Sequence, residues 1–182
     1  MAYVNTELTG RLIDAAARIL VEDGPAGLSL RKVAAAAGVS TMPVYTLFGD
    51  KQGLLDAMHR EGFRRLGLAL AAVPRTGDAL ADLGALGSAY RTAALNSPHL
   101  YGLMFNCDFG STEAADATYH PLVDAVARCQ CDGLLTGDEP EPVALHLWAL
   151  THGLVSLELA GKVGGDVFAK QLGYAALAFR RR

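Results

Sequence analysis

Leu30-Arg31-Lys32-Val33-Ala34-Ala35-Ala36-Ala37-Gly38-Val39-Ser40-Thr41-Met42-Pro43-Val44-Tyr45-Thr46-Leu47 reads as two short helices joined at a glycine. Two helices that cross closely need a very small residue at the contact, and Ala34 supplies it. The turn between them needs a residue that tolerates positive φ, and Gly38 supplies that. Val33, Ala37, Val39, Val44 and Leu47 fall where such a pair needs apolar groups. The pattern predicts a helix-turn-helix. An ordinary alanine-rich helix pair with a glycine turn satisfies the same spacing.

The flanks carry the same helical period. Upstream, Leu8, Leu12, Ala16 and Leu20 recur every fourth residue, with Asn5 or Thr6 as the cap and Gly24-Pro25 as the stop. Ser29 opens the second helix and Ser40 the third, and Phe48-Gly49 ends that third helix. Asp50 caps a fourth helix running to about Val73, before Pro74. Further helices are expected at about 76–96, 98–106, 115–133, 140–160 and 166–181. Ser97-Pro98, Asp108-Phe109-Gly110, the stretch 133–142 and Gly161 to Gly165 punctuate them. No segment alternates in the manner of a strand, so the expected class is all-α. The expected division is a helix-turn-helix domain over 1–50, a connecting helix over 51–73 and a helical-bundle sensing and dimerisation domain over 74–182.

The two final helices point to a partner. Val143, Leu147, Leu150, Leu154 and Leu157 form one seam of the penultimate helix, and Trp148, His152, Val155 and Leu159 form another. A helix apolar on two faces needs two partners. Phe168, Leu172, Ala175 and Phe179 give the last helix a matching stripe. The expected homodimer interface is therefore Leu147, Leu150, Leu154, Leu157, Phe168, Leu172, Ala175 and Phe179. A helix buried in the middle of a monomer is the plainer alternative.

Totals bound the rest. The chain has 182 residues, is 51% hydrophobic and 19% charged, and carries a net charge of -3. That is enough chain for a real core, and the composition does not favour disorder. Residues 1–65 hold eight Lys and Arg against seven Asp and Glu, and the remainder holds eight against twelve. Charge alone therefore does not announce a nucleic-acid partner. No apolar run reaches the length of a membrane span, and Met1 to Glu7 has no secretory pattern, so a cytoplasmic protein without membrane contact is expected. Cys107, Cys129 and Cys131 are too few and too poorly spaced for a disulfide framework or a zinc site, so no metal and no cofactor are expected. An enzyme built on Cys107 or on His99, His120, His146 and His152 is the rival class. These residues show no nucleophile-base-orienter pattern, and the chain is expected not to be an enzyme.

The stretch from Arg11 to Leu54 resembles the N-terminal domain of the TetR family of regulators. Arg11, Ala15-Ala16, Gly24, Leu28-Ser29-Leu30, Ala34, Gly38-Val39-Ser40, Tyr45, Phe48, Lys51 and Leu54 all stand at the family's spacing. Leu147 to Val155, with Trp148, His152 and Gly153, is similar to the Trp-His-Gly signature of one subgroup. Tyr101 to Phe105 is similar to a short helix of that subgroup. The resemblance implies that the third helix enters the major groove of a palindromic DNA operator. Its exposed residues would be Ser40, Thr41, Met42, Pro43 and Thr46. Tyr45 and Lys51 would contact phosphate, with Ser29, Arg31 and Lys32 on the flanking backbone. The third helix has no Arg, Asn or Gln, so apolar contact and DNA shape would carry the readout. The resemblance also implies a small effector among the middle helices, and the apolar inventory makes it mainly apolar. Tyr90, Tyr101, Met104, Phe105, Tyr119, Trp148 and His152 are the expected pocket residues, although aromatic and Met side chains at this spacing also serve as plain core. Repression is the expected mode, with activation the alternative.

Overall fold

The computed structural model describes residues 2–106, 113–137 and 139–179. Cys107 and the Asp108-Phe109-Gly110 turn lie outside them. The described residues form α1 (Ala2–Gly27), α2 (Leu30–Ala36), α3 (Thr41–Phe48), α4 (Lys51–Ala71), α5 (Ala79–Asn96), α6 (Pro98–Asn106), α7 (Glu113–Cys131), α8 (Pro140–Leu159) and α9 (Gly165–Ala178). No strand occurs among the described residues, and the all-α class stands.

Local chemistry places most boundaries where the sequence put them. Gly24, at φ 69°, breaks the helical path inside α1 just before Pro25. The start of α1 departs from expectation: the helix already runs from Ala2, so Asn5 and Thr6 lie within it and do not cap it. Ser29 caps α2, its hydroxyl accepting the Lys32 N–H at 3.3 Å. Gly38 then takes φ 68°, and the Val39 N–H reaches back to the Ala34 carbonyl at 3.0 Å. That bond and the left-handed glycine close α2 by the Schellman arrangement. Asp50 caps α4 by accepting the Gly53 N–H at 2.9 Å.

Packing gathers the helices into two compact units. The N-terminal unit runs to Arg64 and includes α6. Leu12, Ala16, Val33, Ala34, Val44, Leu54 and Met58 form its core, which Leu100 and Leu103 of α6 complete. The C-terminal unit takes Arg65 to Asn96 and the chain from Glu113 onward. Its core joins Ala79, Val126, Cys129, Val143, Ala144, Leu147 and Ala175. Thus α4 contributes residues to both units, and α6 packs with α1.

A buried ion pair locks the start of α5 to α7 in the C-terminal unit. Asp82 accepts from Arg128, from the Thr76 N–H at 2.9 Å and from the Thr76 hydroxyl at 2.7 Å. The Arg128 guanidinium, followed by the two Thr76 donors, holds the Asp82 carboxyl down at about 2, against an ordinary 3.8. Because the folded value lies below the unfolded one, Asp82 adds stability above the ordinary carboxylate range and loses it as pH falls toward 2. Thermal melts between about pH 5 and pH 2 should therefore steepen in their acid loss for wild type and flatten for Asp82→Asn. Parallel acid profiles for the two would remove Asp82 from the account.

Candidate functional site

The face of the N-terminal unit that carries α3 presents methyls and hydroxyls. Val44 and Phe48 turn inward, while Ser40, Thr41, Met42, Tyr45 and Thr46 stay exposed and Pro43 is half-buried. Met42 is 74% exposed and Tyr45 47%, a costly way to leave two large apolar side chains unless something covers them. Phe48 is core, as its spacing implied.

The Thr46 hydroxyl donates to the Met42 carbonyl, one turn back, at 3.0 Å. Its only proton is thereby committed to the helix backbone. What Thr46 offers outward is a methyl and an acceptor, not a donor. This is a detail that residue type alone does not reveal.

The cations around this face are distributed unequally. Lys32 Nζ lies 2.5 Å from the Asp23 carboxylate, and Lys51 Nζ donates to the Pro25 carbonyl. Lys32 thus ties α2, and Lys51 the start of α4, to the Asp23–Pro25 corner of α1. Arg31 is exposed and makes no ion pair among the described residues. Arg11 donates to the Ala37 carbonyl at 2.9 Å and ties α1 to the end of α2, a tie that sequence spacing does not show. Lys51 occupies the first position of α4, where free backbone N–H groups also attract an anion.

The expected pocket residues divide between the units. Tyr101 and Met104 are buried in the N-terminal unit, with Phe105 half-buried. Phe105 meets Tyr101 edge-on at 5.2 Å and Phe63 at 5.7 Å. His59 is buried there and hydrogen-bonds the Met104 backbone; burial pushes its pKa down. A Cβ at Gly62 would stand 2.6 Å from the Met104 side chain, which would have to shift.

Tyr90, Tyr119, Trp148 and His152 instead form a chain of rings in the C-terminal unit. The Tyr90 hydroxyl lies 3.2 Å from His152 Nδ1, the His152 ring is 5.9 Å from Trp148, and Trp148 is 6.1 Å from Tyr119. Burial pushes the His152 pKa down, favouring the neutral imidazole. The Tyr119 hydroxyl donates to the Glu141 carbonyl at 3.2 Å.

Other residues wall the large cavity of this unit. It measures about 380 Å³ and opens between α5 and α9 over a floor from α7 and α8. Leu147, Phe168, Leu172 and Phe179, expected on a dimer interface, line it. Beside it, Arg91 grips Glu158 through two hydrogen bonds, of 2.5 and 2.6 Å, and sits over the Phe168 ring at 5.5 Å.

The expected interface residues also divide by burial. Leu147, Leu154, Phe168 and Ala175 are buried within their own unit, Leu150, Leu172 and Phe179 are half-buried, and Leu157 is exposed. The exposed large apolar side chains of α8 and α9 are Leu145, Leu157, Leu159, Tyr174 and Leu177. Tyr174 and Leu177 lie off the apolar stripe that the sequence of α9 shows, whose Phe168 and Ala175 are buried in the chain's own core. Among the described residues, no helix is long and apolar enough to cross a membrane, and no cluster of His, Cys, Asp or Glu is arranged to hold a metal ion. Cys129 is buried and Cys131 exposed, both as free thiols.

Comparison with known proteins matches two stretches of the chain. Residues 12–58 match the family described as bacterial regulatory proteins, tetR family, and residues 83–177 match the tetracyclin repressor-like C-terminal domain. A protein of unknown function from Rhodococcus sp. RHA1 is 29% identical, with 96% of each chain covered and a TM-score of 0.78. A TetR family transcription regulator from Marinobacter aquaeolei VT8 is 20% identical over the whole of both chains, again with a TM-score of 0.78. A putative tetR family transcription regulator from Shewanella sp. PV-4 is 18% identical, with 96% of this chain and 99% of that one covered and a TM-score of 0.71. No curated protein matches the chain.

Proposed function

The chain belongs to the TetR family of DNA-binding regulators, and on that premise we propose that it is a dimeric transcriptional repressor that leaves a palindromic operator when a small, mainly apolar effector binds. The observation that carries the DNA half is the α3 face. It exposes Met42 and Tyr45 on a helix whose inner side is fully packed. The reading head spans residues 1–50, α4 connects, and residues 74–182 sense the effector and dimerise. Trp148, His152 and Gly153 favour the subgroup with the Trp-His-Gly signature.

Readout follows from what α3 can offer. With no Arg, Asn or Gln, it has no side chain for bidentate base contacts. Met42 and the Thr46 methyl suit the thymine 5-methyl group, and the Thr46 oxygen accepts from an exocyclic amine. Phosphate contacts from Tyr45, Lys51, Arg31 and Lys32 position the head and carry no base code. Lys32, exposed, and Lys51, half-buried, exchange their present partners for phosphate.

The test begins with selection of an operator from a random duplex pool. Lys51→Ala should then weaken all duplexes alike and lower the salt slope by about one unit. Met42→Ala and Thr46→Ala should reorder the ranking of operator variants, and replacing thymine by uracil at the contacted positions should mimic Met42→Ala. A ranking altered by Lys51→Ala and untouched by the α3 changes would reverse these roles. Selection that enriches no sequence would remove the DNA reading itself.

Release works through α4, the continuous helix whose residues belong to both units. A dimer must hold its two reading helices about 34–36 Å apart to meet successive major grooves. A ligand that prefers a different tilt of α4 by about 1–3 kcal/mol lowers operator affinity several-fold to about a hundredfold. Linkage requires operator DNA to weaken the ligand by the same factor, so ligand titrations with and without operator check it.

A further inference from the structure

The cavity between α5 and α9 has an apolar wall with no ionisable side chain in it. Its two mouth glycines, Gly84 and Gly173, lie inside helices and are exposed. Glycine within a helix is unfavourable relative to alanine. At Gly87 close packing explains it, because a Cβ would stand 3.0 Å from Leu172. No such reason applies to Gly84 or Gly173: a Cβ at either would meet nothing within 4 Å. Both positions keep the mouth open at the expense of helix stability.

The floor supplies a second, independent observation. Thr151 is only 6% exposed, yet its hydroxyl makes no hydrogen bond among the described residues and no buried polar atom is left sealed without a partner. The hydroxyl therefore opens into the cavity that Thr151 lines. The other hydroxyl in the wall, that of Ser88, is already committed to the Gly84 carbonyl at 3.0 Å. A ligand atom in the cavity could take up this uncommitted hydrogen-bonding group.

We infer that this cavity, rather than the Tyr90–His152–Trp148–Tyr119 ring chain, is the effector site, and that it takes an uncharged, largely hydrocarbon molecule bearing one hydrogen-bonding group, which meets Thr151. The volume of about 380 Å³ lies within the range of small-molecule pockets. No ionisable group in the wall can pair with a charge, and burying an unpaired charge is costly, which favours an uncharged ligand. This inference rests on the reading of the chain as an effector-released regulator, and its test separates the two.

The probe is N-phenyl-1-naphthylamine, an apolar fluorophore with a single N–H, titrated into the full chain. Its fluorescence should rise with one site per protomer. Gly84→Leu and Gly173→Leu should each weaken it at least about tenfold, equivalent to 1.4 kcal/mol. Both variants should melt at or above the wild-type temperature, since neither side chain meets an obstacle at its Cβ. Thr151→Val should weaken displacement of the probe by 4-butylphenol about fivefold and leave displacement by butylbenzene unchanged. Wild-type probe affinity in both leucine variants would overturn the inference, as would equal losses for the two competitors in Thr151→Val. An affinity that rises on dissociating the dimer would mean that a partner side chain fills the cavity, and would overturn it as well. If the probe binds as expected but leaves operator affinity unchanged, the site stands and the release reading falls.

Discussion

Leu157→Glu is expected to convert the protein to a folded monomer at micromolar concentration, with operator affinity reduced at least about a hundredfold, near 3 kcal/mol. Residue 157 is 46% exposed on α8, at the open end of the seam whose Leu147 and Leu154 are buried. Tyr174 and Leu177 extend the apolar exposure on α9. Two copies pairing α8 and α9 across a two-fold axis would cover this surface. Such an interface should bury well over about 1,000 Å² in total. A carboxylate at its centre would be buried without a partner, at a cost of several kcal/mol, and symmetry places it there twice. The loss of DNA binding follows because a palindrome is read by two heads held together. Sedimentation and operator titration measure the two effects. Leu154→Glu provides the contrast: its side chain is in the protomer's own core, so it should unfold the C-terminal unit and cost helical signal. A Leu157→Glu protein that still sediments as a dimer would move the interface elsewhere.

Ala34→Leu should abolish operator binding by displacing α3 while leaving the C-terminal unit intact. Ala34 is 1% exposed, and it belongs to the core shared by α1, α2, α3 and α4. Its carbonyl also accepts the Val39 N–H that closes the turn into α3. Three extra carbon atoms cannot enter a core of this density without moving a helix, and overpacking of this kind costs about 1–3 kcal/mol. The helix with least to hold it is α3, eight residues long and capped by Ser40 without a side-chain bond. Circular dichroism should show only a modest loss of helix, and operator titration a loss of at least about a hundredfold. Ala35→Leu, one residue on and exposed, should change stability by no more than about 0.5 kcal/mol. Equal behaviour of the two variants would mean that the small residue at 34 is not what sets the helix crossing.

The reading head was largely legible in the sequence because its determinants are local. Ser29 caps the helix that starts beside it, Gly38 turns where positive φ is needed, and Asp50 caps α4, each through bonds within a few residues. Helical period did the same for the other elements, so the all-α class followed from spacing alone. Which face each helix buries, and against what, was decided only by the tertiary structure. The α8 stripe and the α9 stripe are each apolar, but period cannot distinguish a face turned to the chain's own core from one turned to a partner. Packing put Leu147, Phe168, Leu172 and Phe179 around the cavity between α5 and α9 and left Leu157, Tyr174 and Leu177 exposed. The Asp82–Arg128 pair, the Tyr90–His152 contact and the docking of α6 on α1 join residues far apart in the chain, and their spacing carries no trace of it. Thr46 shows the limit within a single turn of helix. Its identity announces a hydroxyl, but only the helix geometry determines that the proton goes to the Met42 carbonyl, leaving a methyl and an acceptor to meet whatever α3 reads.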